Sequence, residues 1–513
     1  MGGQPWWKRA VVYQIYPRSF ADSNGDGVGE LEGIRQHLDH IAGLGADALW
    51  LSPIFRSPMR DFGYDVSDYC DIDPVFGTLA DLDALVESAH ARNLRVILDW
   101  VPSHTSSDHP WFLDSRSSRD AAKRSWYVWR DPKPDGSPPN NWTSAFSDGG
   151  PAWTLDEASG QYWLHSFLAE QPDLNWENPD VVAAMHDTLR FWLDRGVDGF
   201  RADVVHNIGK DPALLDVADR VAKIPHCALN DDPRTIEHLR GIRRLLDSYP
   251  GERMIVGEVF LMDTQKIAPY YADGAGLHLS FNFPPMFLKW KAEKWRDCLE
   301  EVAAAFDPVG AWPTWVLSNH DWPRHRTRLG SEPRSRAAAL LLLTLRGTPF
   351  LYMGEELGLE DAVVPADRVV DPGGRDGCRA PLPWTRAAGH GWPDPAWLPL
   401  PPDADLRNVE AESESPDSML QLYRRLLTAR RASPALSAGD FELLDDLPRG
   451  VLGYRRSVDG DARIILINFE ETAAAVGFPP DTTVEVSSDG AGEGAVFTGA
   501  LDTLQAVLLR PTT

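Results

Sequence analysis

The chain has 513 residues, a formal net charge of −26, and 43% hydrophobic against 25% charged residues. That is a globular composition, and the length exceeds one compact core of ordinary size, so a large domain with insertions and a smaller companion is expected. The negative charge argues against nucleic acid and anionic lipid, and no run approaches the roughly 20 apolar residues of a membrane helix, which leaves a small neutral or cationic molecule as the expected partner.

Met1 to Arg9 is short, polar and aromatic, without the apolar stretch of a signal peptide, so a cytoplasmic location is expected. Cys70, Cys227, Cys298 and Cys378 lie far apart with no metal spacing and read as free thiols. Twenty tryptophans suit a site that stacks flat ring faces, and they suit a large core equally well.

Val11 to Ile15 reads as a first strand. Leu31 to Ala42 follows as a helix with Ile34, Leu38 and Ile41 on one face, stopped near Gly45, before a buried strand at Ala48 to Leu51. Leu79 to Ala91 is a second amphipathic helix, with Thr78 and Asp81 at capping-box spacing. Arg95 to Leu98 is the next strand. The segment His104 to Leu174, rich in Trp, Ser, Pro and Asn, has no helical period and reads as an inserted subdomain. A helix over Val181 to Arg195 leads to a strand at Val197 to Phe200. Further strands fit Met254 to Val256, Leu277 to Phe281, Thr314 to Leu317 and Pro349 to Leu351.

Eight strands alternating with helices predict an α/β fold of the (β/α)₈ TIM-barrel type. An open doubly wound sheet is the alternative, but no Gly-rich phosphate loop follows Ile15. Glu355 to Asn408, dense in Pro, Gly and Asp, reads as a long functional loop. A helix from Ser418 to Arg431 leads to short strands without helices. The division is a barrel over 1–104 and 175–432, an inserted subdomain over 105–174, and an antiparallel β domain over 433–513.

Residues at the C-terminal ends of barrel strands line the active site of such a fold. Here those ends deliver Asp99 and His104, then Arg201 and Asp203, then Glu258, then His320 and Asp321. Paired carboxylates across a sugar ring are what glycosidic cleavage requires, one as nucleophile and one as proton donor.

Asp99-Trp-Val-Pro-Ser-His104, Gly199-Phe-Arg-Ala-Asp203, Gly257-Glu258-Val and Ser318-Asn-His320-Asp321 resemble the four signature regions of the α-amylase family of glycoside hydrolases. Gln171-Pro-Asp-Leu-Asn175, Gly63-Tyr64-Asp65 and Gly374-Arg375-Asp376-Gly377-Cys378-Arg379 are similar to its α-glucosidase and oligo-1,6-glucosidase branches. The resemblance runs from about Trp7 to Leu427. It implies a retaining mechanism with Asp203 as nucleophile, Glu258 as acid/base and Asp321 as a third acid. His104 and His320 are implied to bind sugar hydroxyls, and Arg201 to keep Asp203 ionised. Asp65 and Arg379 are expected to clamp the sugar end and close the pocket, with Arg375 as the alternative to Arg379. Phe146, Phe167 and Gln171 match pocket-lining positions. Ser103 departs from the family, which usually has Asn before the His.

Asp22-Ser-Asn24-Gly-Asp26-Gly-Val28-Gly-Glu30 places oxygen donors at alternate positions, as a calcium loop needs. It resembles the family's structural calcium loop, with ligands Asp22, Asn24, Asp26, the Val28 carbonyl and Glu30. Glu30 stands where Asp is usual, and magnesium is a possible substitute. A turn without metal is the alternative, and no organic cofactor is implied.

The expected activity is exo-hydrolysis of short α-glucosides, α-1,4 slightly ahead of α-1,6, with possible transglycosylation. Val204 after Asp203 goes with isomaltose-type linkages in the oligo-1,6-glucosidase branch. Rival readings are an oligo-1,6-glucosidase, an endo-amylase and a non-catalytic carbohydrate-binding relative. The chain is expected to act as a monomer or small homo-oligomer.

Overall fold

The computed structural model describes residues 4–146, 150–217, 231–477 and 481–511. Eight parallel strands form the central sheet: β1 (Val12–Ile15), β2 (Ala48–Leu51), β3 (Arg95–Trp100), β4 (Gly199–Ala202), β5 (Met254–Gly257), β6 (Leu279–Ser280), β7 (Thr314–Val316) and β8 (Thr348–Tyr352). Their order is β6-β5-β4-β3-β2-β1-β8-β7, a nearly closed barrel. Across the seam between β6 and β7, the Thr314 hydroxyl donates to Ser280 O at 2.8 Å and accepts from Asn282 N–H at 3.2 Å. One side chain thus substitutes there for ladder bonds.

The strand period of two sorts the side chains. Val12, Ala48, Trp50, Ile97, Met254, Val256, Leu279 and Phe350 fill the barrel interior. Their neighbours Tyr13, Leu49, Leu98, Phe200 and Ile255 face outward and pack in the core shared with the helices. Continuing each inward series toward the C-terminal end reaches polar residues. Gln14 follows Val12, Asp99 follows Ile97, Arg201 and Asp203 follow Gly199, and Glu258 follows Val256. The chemistry therefore stands on the top layer of an apolar plug.

The helix expected over Leu31 to Ala42 is two helices, Leu31–Gln36 and Leu38–Leu44. The break is at His37, whose ring Nδ1 lies 2.8 Å from Gly33 O, the carbonyl an unbroken helix would have used. The Thr78–Asp81 capping box forms as expected. The insertion carries the helix Pro110–Ser117 and an antiparallel three-stranded sheet of Trp129–Arg130, Trp153–Asp156 and Gln161–Leu164. The C-terminal region is a five-stranded sheet whose recorded pairings are all antiparallel. The long loop after β8 is wound into short 3₁₀ turns, including Asp376–Arg379. Cys70, Cys298 and Cys378 are free thiols, and Cys227 lies outside the described residues. Among the described residues no helix is long and apolar enough to cross a membrane.

Trp192 on the helix Pro179–Asp194 is fully buried, stacks on Phe55 with ring centroids 4.9 Å apart, and donates from Nε1 to Tyr69 O at 2.8 Å. Trp192→Ala is expected to cost about 3–5 kcal/mol, against about 1 kcal/mol for Thr78→Ala at the helix cap. Urea midpoints of the two variants check that ranking.

Candidate active site

A cavity of about 430 Å³ opens at the C-terminal ends of the strands. Asp203, Glu258 and Asp321 all line it, with His104, Phe146 and Phe167. Arg201, Gln171 and His320 stand behind this wall, each almost wholly buried.

Arg201 joins three strand ends. Its Nη1 donates to Asp99 Oδ1 and Asp203 Oδ1, both at 2.7 Å, and its Nη2 to Glu258 Oε2. The ladder continues past β4, since Asp203 N–H donates to Trp100 O and Glu258 N–H to Ala202 O, each at 2.8 Å. Val204 then enters the left-handed region at φ 33°, unusual and costly for a β-branched residue. That turn directs its N–H onto Glu258 Oε2 at 3.0 Å. Gly257 packs closely here: an added Cβ would stand 2.4 Å from Leu277 Cδ1, so that side chain would have to shift.

Burial raises Asp203 well above the usual carboxylate range. Arg201 opposes that rise, while Glu258 and Asp99 add to it. Burial likewise pushes Asp99 up to about 7 against the pull of Arg201. Asp321 behaves oppositely: burial works against its charge, yet the guanidiniums of Arg375 and Arg379 hold it below the usual range. Burial takes His320 down to about 3, so its ring is neutral. The Gln14 amide nitrogen donates to Nδ1 at 2.7 Å, which leaves the proton on Nε2. Nε2–H then donates to the Tyr64 hydroxyl at 2.5 Å, and that hydroxyl donates to Asp99 Oδ2 at 3.2 Å. His104 is also lowered by burial. Its Nδ1 lies 2.8 Å from the Ser103 hydroxyl, so Ser at this position supplies the ring's partner.

The expected clamp is corrected. Asp65 is fully buried and off the cavity wall; its carboxylate accepts from the Ser57 hydroxyl at 2.8 Å and from the Arg60 and Asp61 amides at 3.1 Å. It is consumed in holding its own turn. Arg379 is also fully buried, donating from Nε to His320 O at 2.8 Å and pairing with Asp371 at 3.1 Å. Asp61 and Arg375 line the cavity instead, paired at 2.7 Å, with Arg375 also 3.1 Å from Asp321. Gln171 supports this group, donating to Asp61 Oδ2 at 3.0 Å. Arg375 sits over the Phe146 ring at 5.2 Å.

The sequence reading missed His206, Asn207, Phe260 and Trp322 as wall residues. Each lies within four residues of an assigned acid, so adjacency to a strand end was the available signal. His206 Nδ1 lies 3.1 Å from Glu258 O and 3.4 Å from Phe260 N, and so steadies the segment after Glu258.

In the loop 22–30, Asp22 accepts backbone N–H from Asn24, Gly25 and Gly27 at 2.6–3.0 Å. Asn24 Oδ1 accepts from Asp26, and Asp26 Oδ1 from Val28, each at 2.9 Å. Glu30 caps the next helix, its Oε1 accepting from Gly33 at 3.0 Å, and its Oε2 is buried without a partner. Among the described residues no three His, Cys, Asp or Glu side chains converge as a metal group.

With this geometry in place, comparison with known proteins is informative. The α-amylase catalytic domain family matches residues 14–439. A probable α-glucosidase of Rhizobium meliloti (strain 1021) is 43% identical over 92% of this chain and 91% of its own length. An oligo-1,6-glucosidase of Parageobacillus thermoglucosidasius is 36% identical, with 92% of each chain covered. The crystal structure of XgtA, an α-glucosyl transfer enzyme, is 41% identical and superposes with a TM-score of 0.92 over 99% of this chain and 100% of that one. Fold, site and relatives define a glycoside hydrolase. The chain belongs to the α-amylase family, and its activity is of the α-glucosidase type, hydrolase or transglucosylase, on α-glucosidic sugars.

Arg201→Lys replaces a fork that reaches three carboxylates by a point charge. It is expected to lower kcat/KM on p-nitrophenyl α-glucoside by about 10²-fold or more and to reduce thermal stability. Steady-state rates and melting curves check both.

Proposed function

We propose that the protein is an exo-acting, retaining α-glucosidase that removes glucose from the non-reducing end of short α-glucosides. The observation that carries this reading is the shared cavity of Asp203 and Glu258, both tied to Arg201, with the Asp61–Arg375 pair in the same wall. Asp203 attacks the anomeric carbon as the glycosidic bond breaks, and Glu258 gives its proton to the leaving oxygen. Water, or a sugar hydroxyl in transfer, then gives a proton to Glu258 and attacks the same carbon, releasing Asp203. Two inversions return the α configuration. Burial is the main cause that raises Asp203, and Glu258 adds to it; a sugar lodged between the two carboxyl groups weakens the Glu258 part alone. Arg201 at 2.7 Å is then the partner that favours its ionised form.

The paired charges of Asp61 and Arg375 offer bidentate hydrogen bonds to hydroxyls at the closed end of a glucosyl ring. They support action at a chain end rather than within a chain. For linkage we propose α-1,4 slightly ahead of α-1,6. A preference for α-1,6 is the second reading, favoured by Val204, which lines the cavity directly after Asp203.

Asp203→Asn is expected to lower kcat by more than about 10³-fold, and Glu258→Gln by about 10²–10⁴-fold, with unchanged circular dichroism. Early NMR spectra of the product from maltose should show α-glucose. β-Glucose appearing first would sink the retaining mechanism. Initial rates on maltose, isomaltose, sucrose, trehalose and maltotriose decide the linkage.

The loop 22–30 is proposed to hold a structural divalent cation, calcium or magnesium. The buried, unpartnered Oε2 of Glu30 supports this, since a cation would offset the burial that raises that carboxyl. EDTA dialysis is expected to lower the melting temperature by several degrees, and calcium to restore it. Glu30→Ala should abolish that difference, and elemental analysis should find about one equivalent of metal in the undialysed protein.

A further inference from the structure

At the opposite end of the barrel, the approaches to β1, β2 and β3 meet the helices Met419–Ala432 and Pro434–Ala438 around a second cavity of about 300 Å³. Arg9, Arg95, Arg430 and Arg431 line it, against the single carboxylate of Asp47. In a chain of net charge −26 this is an unusual balance. At the catalytic end, Arg201, Arg375 and Arg379 are each ion-paired to two or three carboxylates.

Here the pairing is sparse among the described residues. Asp47 is already committed, with Oδ2 accepting Val11 N–H at 2.8 Å and Oδ1 facing Arg431 at 3.4 Å. That contact is the one ion pair of the group among the described residues. Arg95 lies over the Trp6 ring at 4.6 Å and forms no ion pair among the described residues. Arg9 is exposed and unpaired among the described residues. Arg430 is buried, donating to the carbonyls of Leu343 at 2.9 Å and Gly347 at 2.7 Å, and its Nε has no partner. Burial pushes Arg430 down to about 10, against the pull of Asp47.

Like charges gathered around a concave space repel one another, and among the described residues Asp47 alone faces the four of them. The remaining offset is open to an anion in solution. Guanidinium forks match the oxygens of a phosphate and hold it by charge-assisted bonds. Two guanidiniums without an ion pair among the described residues, Arg9 and Arg95, with Arg431 held at 3.4 Å by Asp47 alone, suit a dianion better than a single carboxylate. The cavity also exceeds a bare ion, since one water accounts for only about 30 Å³ of liquid. It reaches the lower end of the range for small-molecule sites.

We propose that this cavity binds a phosphate dianion, free or carried on a small polar molecule of monosaccharide size, through Arg9, Arg95 and Arg431. The site is separate from the sugar cavity and goes beyond the proposed activity. A bound phosphate would fasten the barrel floor to the helix that leads to the C-terminal sheet, so binding should stabilise the folded chain.

Calorimetry and melting curves of the full chain would be run with inorganic phosphate, glucose 6-phosphate and glucose, at ionic strength held constant with NaCl. The expected result is saturable binding of phosphate or the sugar phosphate with a rise in melting temperature, and binding at least about tenfold weaker in Arg9→Ala/Arg95→Gln. The tighter of the two ligands identifies the source of the phosphate. Turnover of p-nitrophenyl α-glucoside by that variant should stay at the wild-type level and report its folding. Arg431→Gln, at a largely exposed side chain, serves as a second variant if the first folds poorly. Binding that is absent, or equal in the variants, overturns the proposal. So does glucose 6-phosphate acting only as a competitive inhibitor with the same constant in both proteins, which would place it in the catalytic cavity.

Discussion

Three strand ends of the barrel are held together by one guanidinium. Arg201 is buried and bonded to Asp99, Asp203 and Glu258, which come from β3, the end of β4 and the end of β5. One positive charge cannot compensate three buried negative ones. The site resolves this by raising Asp99 and Asp203 rather than by adding cations. Without Arg201, buried carboxylates would repel and the strand ends would lose their common partner. The strained turn at Val204 persists in this setting because its N–H is fixed on the same glutamate that Arg201 holds.

Around that centre the floor and the walls have different origins. The floor is strand, and its side chains are placed by alternation over an apolar plug. The walls are loop. The loop after β2 supplies Asp61 and Tyr64, the insertion supplies Phe146 and Phe167, and the segment after β8 supplies Arg375. The neutral His320 ring links the two, bonded to Gln14 below and to Tyr64 beside it. A change in a wall loop can therefore alter substrate fit while leaving the reacting carboxylates in place.

The two ends of the barrel also differ electrostatically. At the catalytic end Arg201, Arg375 and Arg379 are matched by acids of the chain, which suits an uncharged sugar. At the opposite end the arginines outnumber the acids. A strongly acidic chain that leaves those guanidiniums unmatched has the charge balance of a surface completed by something else.

Much of the barrel and its floor was legible in the sequence. Short apolar runs after helix stops locate the strands, and the C-terminal-end rule then points at Asp99, Arg201, Asp203, Glu258 and Asp321. Those positions follow from period and order alone, which any stretch of strand must obey. The helix over Leu31 to Ala42 read as continuous because its apolar spacing is regular, and periodicity does not register a histidine that takes a backbone carbonyl. The clamp was misread for a related reason. Asp61 and Asp65 stand four residues apart in one turn, and Arg375 and Arg379 four apart in one loop, where no periodicity says which side chain faces the cavity. Backbone amides captured Asp65, and a carbonyl with a buried acid captured Arg379, leaving Asp61 and Arg375 for the wall. Local pattern thus determined the strands and the acids they carry. Only the folded chain decided which loop residues face the sugar, because that choice depends on hydrogen-bond partners brought together from distant parts of the sequence.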